Sequence, residues 1–104
     1  MYFKGIVFFL FFVALPLLLM AQRNQFSDLL IGANFTPSTA VNQLDMWQSE
    51  TFDPITIDRE LGLAEQIGLN IMRVYLHHVA WRVDSSGFKT RIGDYLKIAD
   101  RHHI

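Results

Sequence analysis

Arg73 is the only ionic side chain in the otherwise apolar and aromatic run Ile71–Leu76, and its chemistry poses the first question about this chain. A guanidinium inside a buried strand is costly unless an acceptor or a carboxylate meets it, so Arg73 either holds a partner or snorkels to an exposed strand edge. Alternation along a strand puts Ile71, Arg73, Tyr75 and His77 on one face and Met72, Val74 and Leu76 on the other. His77, at the strand tip, is placed to hydrogen-bond a hydroxyl or orient a carboxylate; the plainer reading is a structural histidine. His78 points the other way and stays outside the candidate site. Trp47 and Trp81 follow the two apolar runs of the chain, where flat indoles can stack on a flat ligand surface or simply pack. Asn34 closes the first run and can donate to a substrate hydroxyl or cap its own loop.

The elements that must position these groups follow from punctuation and period. Leu29–Phe35 is a short apolar run stopped by Pro37, consistent with a buried strand. Ser38–Phe52 lacks periodicity and reads as a long loop with room for one helical turn. Asp53-Pro54 opens a helix through an N-cap carboxylate and a proline at the first helical position. Ile57, Leu61, Ala64 and Ile67 form its apolar stripe, and Gly68 supplies the left-handed stop. A strand over Asn70–His77 follows. Val83–Gly87 is turn chemistry, and Phe88, Ile92, Tyr95, Leu96 and Ala99 mark one face of a second helix. Strand, helix, strand, helix predicts a parallel α/β arrangement. Two parallel strands cannot bury both their faces, so the pattern calls for further strands beside them.

Residues 1–21 read differently. They hold a single charge, Lys4, then an apolar run from Gly5 to Met20 and a small residue at Ala21, the pattern of a signal peptide cleaved after Ala21. An uncleaved N-terminal anchor is the alternative, and is the only membrane association the sequence suggests. Residues 22–28 form a short linker before the folded part, 29–104. Past residue 21 the chain keeps all 10 acidic side chains and all but one of its 9 basic ones. That balance argues against a nucleic-acid partner, which needs a concentrated basic face. The chain has no cysteine, which excludes a disulfide framework and a lipid-modified N-terminal Cys. The pairs His77-His78 and His102-His103 lack the helical four-residue spacing of a zinc site, and no metal or cofactor is expected.

Three segments, GANF at Gly32–Phe35, DPxTIDRELG at Asp53–Gly62 and GLNxMRVYLH at Gly68–His77, carry a resemblance. Over residues 31–104 the chain resembles the start of a clan A glycoside hydrolase barrel, and is most similar to bacterial cellulase-family proteins related to family 5, of the 1,4-β-xylanase type. The resemblance implies the first two βα units of a truncated (β/α)8 TIM barrel behind a signal peptide. It implies a secreted or periplasmic enzyme that cleaves β-linked polysaccharide or oligosaccharide with retention of configuration. Both catalytic glutamates of that family stand at the tips of strands four and seven, beyond Ile104, so this stretch alone is expected to be inactive. In the family, the arginine matching Arg73 points into the barrel and keeps the nucleophilic carboxylate ionised. His77, Trp47, Asn34 and Trp81 are then the other candidates for substrate contact or support. Two positions depart from the pattern: His78 replaces an acidic residue, and His103 replaces the glycine that stops the second helix. His103 must then take a left-handed conformation, at about 1 kcal/mol.

Two other classes stay open. One is a small secreted carbohydrate-binding module that uses Trp47 and Trp81 without catalysis. The other is a membrane-anchored interaction module that keeps its N-terminal segment.

Overall fold

The computed structural model describes residues 6–14, 16 and 29–104. The expected linker 22–28 and the cleavage point after Ala21 lie outside the described residues. Within the expected leader, residues 6–14 are helical. Among the described residues, no helix is long and apolar enough to cross a membrane. From residue 29 onward the order is β1 (Gly32–Asn34), α1 (Gln43–Trp47), α2 (Pro54–Gln66), β2 (Ile71–Arg73), α3 (His78–Val83) and α4 (Ser85–Arg101).

The strands pair in parallel, with Gly32 opposite Ile71, Ala33 opposite Met72 and Asn34 opposite Arg73. Both are shorter than the apolar runs predicted them to be. Each has one neighbour, so the ladder ends where the overlap ends, with a last rung from the Phe35 N–H to the Arg73 carbonyl at 2.8 Å. At the other end, the Asn70 side chain grips the approach to β1. Its Oδ1 accepts from the Ile31 N–H and its Nδ2 donates to the Leu29 carbonyl, both at 2.8 Å. Gly32 is required at its position, because a Cβ there would fall 2.1 Å from the Ile71 carbonyl oxygen.

The helices start where side-chain caps allow. Asn42 Oδ1 accepts from the Asp45 N–H and opens α1, the one helical turn the loop had room for. Asp53 caps α2 by accepting from the Thr56 N–H, with Pro54 at the first helical position, as the sequence predicts. That hydrogen bond is the main reason the Asp53 carboxyl is held below its usual range. Gly68 ends the helix at φ 90, also as predicted, and His103 adopts φ 57 after α4. Ile67, expected on the apolar stripe, is exposed instead, because the helix closes before it.

Val83–Gly87 differs from the turn the sequence predicts. The polar cluster is a cap: Asp84 accepts from the Gly87 N–H and α4 begins at Ser85, directly after α3. Phe88, Tyr95 and Ala99 are buried as expected, while Leu96 is exposed and Ile98 is buried in its stead. The inner stripe of α4 leans toward Arg91 and Ile98, one helical step from where the larger aliphatics point.

Trp47, Ile57, Leu61 and Met46 are the most deeply buried large side chains. Phe35, Ala80, Phe88, Tyr95, Ile98 and Ala99 complete the cluster, with Met72 and Val74 packed against it. Helices α1 to α4 therefore reach the sheet from its Met72/Val74 side. Ile71, Arg73 and Tyr75 are exposed on the opposite face.

Candidate functional site

The open face of the sheet gathers Asn34 from β1 with Ile71, Arg73 and Tyr75 from β2 and its extension. Register and alternation dictate this: partners across a parallel ladder share a face, and Asn34 is the partner of Arg73. Arg73 is exposed, so it avoids the desolvation cost feared for a buried guanidinium. Its Cζ lies 4.8 Å from the Tyr75 ring centroid, a cation–π contact between residues two apart on the same face. Among the described residues no carboxylate stands within ion-pair distance of it. Its fork of donors is therefore free to meet an acceptor that arrives over the face.

His77 lies apart from this group. Its Nδ1 accepts from the Val79 N–H at 3.2 Å, which makes it the N-cap of α3. The chain turns helical at His78, so strand alternation no longer applies. The two imidazoles stack at 5.0 Å instead of pointing to opposite sides. His77 thus has the structural role set beside its functional one.

The tryptophans part company. Trp47 has no exposed surface. Phe88 and Tyr95 meet it edge-on at 5.6 and 5.7 Å, and Phe52 stacks at 6.3 Å. Its Nε1 donates to the Tyr75 carbonyl at 2.7 Å, which ties α1 to the extended segment after β2. Trp47 is a core residue, and a sugar ring has no access to it. Trp81 is on α3 and not in a loop. It remains 45% exposed, with Phe88 at 6.4 Å edge-on and the Lys89 ammonium 5.1 Å from its ring. Of the five sequence candidates, Arg73 and Asn34 come together, whereas His77, Trp47 and Trp81 serve elsewhere.

Residues the sequence reading passed over hold this arrangement. Asn70 fixes the entry to β1, as described above. Arg91 donates from Nε to the Trp47 carbonyl at 2.7 Å and pairs with Asp84 at 3.5 Å. Its signal was available: it lies three residues after Phe88 and four before Tyr95, on the inner stripe. The Tyr95 hydroxyl is buried with no hydrogen-bond partner among the described residues, and burial pushes its pKa up to about 12.

Asp45 accepts from the Val41 N–H at 3.3 Å. No cluster of three or more metal-ligating residues occurs among the described residues. No protein-family model matches the chain, and neither does any curated protein or solved structure.

Proposed function

We propose that residues 29–104 are the opening two βα units of a (β/α)8 glycoside hydrolase that acts on β-linked glycans, exported behind the leader 1–21 to the periplasm or beyond the cell. The observation that carries this reading is the division of the sheet. Helices α1 to α4 all pack on one face, while the other, in parallel register, presents Asn34 beside Arg73. In a barrel the uncovered face is the interior, and groups near the C-terminal ends of its strands line the active site.

In this reading Arg73 is a supporting group. Retaining glycoside hydrolysis needs two carboxylates about 5–5.5 Å apart, one ionised as the nucleophile. A guanidinium within a few ångströms lowers a carboxyl pKa and keeps that group charged. Tyr75 holds the guanidinium over the sheet through the 4.8 Å contact, and Asn34 adds an amide donor and acceptor beside it. Of the two tryptophans that would form a glycan platform on a non-catalytic module, one is inside the core. That weighs toward the enzyme reading.

The test is the coding sequence past codon 104, followed by assay of the encoded protein on xylan, cellulose and mannan. Further βα units with glutamates at the tips of strands four and seven, and cleavage of one of these glycans, are expected. A stop at that codon, or a complete barrel without those glutamates, would refute the proposal.

A further inference from the structure

A group of ionisable side chains far along the chain from the open face joins the end of α4 to the middle of α2. His102 Nε2 lies 2.8 Å from Asp58 Oδ1, and its Nδ1 lies 3.1 Å from Glu65 Oε2. Asp58 and Glu65 are seven residues apart, two turns on one face of α2. Gly62 lies between them. A Cβ there would approach His102 Cε1 to 3.2 Å, so the glycine keeps clear the surface on which the ring rests. This explains a residue that otherwise weakens a helix interior.

Both ring nitrogens of His102 therefore face acceptor-only carboxylates. A neutral imidazole has one donor and one lone pair, so it can satisfy Asp58 or Glu65 but not both. Only the imidazolium donates to each. The charges agree. Arg101 shares Asp58 Oδ1 at 3.0 Å, and His103 Nδ1 meets Glu65 Oε1 at 2.6 Å. With both histidines neutral, two carboxylates face one guanidinium; a proton on His102 balances them. In the groove between α2 and α4 that Asp58 and Arg101 also line, Asp94 and Lys97 pair with each other at 3.5 Å.

We propose that His102, Asp58 and Glu65 form a proton-operated clasp that closes α4 onto α2 in mildly acidic conditions and loosens as the pH rises. His102 is held above its ordinary value of 6.5, first by the hydrogen bond to Asp58 and then by that to Glu65. Asp58 is held below 3.8 first by the hydrogen bond to His102, and Glu65 below 4.5 first by that to His103 and then by that to His102. A raised imidazole pKa gives stability that is complete below 6.5 and disappears as the pH climbs through the folded value. Lowered carboxyl values give stability present above 3.8 and 4.5 and lost on acidification. The clasp is thus tightest between about pH 4.5 and 6.5, from the ordinary values that bound these shifts.

The experiment is deuterium exchange at the imidazole Cε1–H of His102, read by mass spectrometry across pH on the full chain and on Asp58→Asn and Glu65→Gln. Both variants change exposed carboxylates and leave the apolar core untouched. The expected result is a His102 midpoint above 6.5 that falls in each variant, with a thermal midpoint that drops from pH 6 to 8.5 in the wild type and stays flat in His102→Gln. A His102 midpoint at or below 6.5, or one that ignores both carboxylate changes, would overturn the proposal.

Discussion

The two faces of the sheet are built from the same few residues by opposite rules. Met72 and Val74 point toward a cluster in which a phenol and two phenyl rings interlock around the Trp47 indole. One residue over in each direction, Ile71, Arg73 and Tyr75 point to a face that no element among the described residues covers. The covered side spends its polar groups on fastening: the Trp47 N–H reaches the Tyr75 carbonyl and Arg91 reaches the Trp47 carbonyl. The open side leaves its donors unspent. The five residues Ile71–Tyr75 thus supply both a floor for the core and a surface for chemistry, and alternation alone separates them.

The largest effect expected is on the covered side. Trp47→Ala should cost about 3–5 kcal/mol, as truncation of a buried aromatic usually does, and should abolish amide protection in α2 and α4. If protection persisted, the core would not be organised around that indole. Next come the groups that hold the strands in register. Gly32→Ala forces a methyl against the Ile71 carbonyl, and should cost about 1–3 kcal/mol through displaced backbone. Asn70→Ala removes two hydrogen bonds to the β1 approach and should cost about 1–2 kcal/mol, seen as faster exchange at the Ile31 and Phe35 amides.

Tyr95→Phe separates burial from bonding. Its hydroxyl has no partner among the described residues, so the phenyl ring should keep the core intact while removing a desolvated polar group. The expected change is within about 1 kcal/mol and toward stability. At the small end, Arg73→Ala and Tyr75→Ala on the open face should change stability by about 0.5 kcal/mol or less, the range of ordinary surface substitutions. A loss at Arg73 comparable with that at Trp47 would erase the distinction between the two faces.

Much of this was legible in the chain. Asp53-Pro54, Ile57, Leu61, Ala64 and Gly68 announce α2 because capping and a 3.6-residue stripe are local properties. The two apolar runs and their parallel pairing follow from order and connection length. Even the left-handed backbone at His103 is forced by a helix that must stop without a glycine. What escaped depends on distance in space. Trp47 reads equally as platform or core until Phe88 and Tyr95, some 40 residues on, close around it. His77 reads as a strand tip because nothing local says that α3 begins one residue later. Asn70 and His102 look like ordinary polar residues until their partners on the approach to β1 and on α2 arrive.

Radical footprinting of aromatic side chains tests the division of faces most directly. Trp47 and Tyr95, buried, should resist labelling, while Tyr75 and Trp81, which are 38% and 45% exposed, should react readily on the same molecules. A Tyr75 as protected as Tyr95 would contradict a sheet with one face given to the core and the other left open.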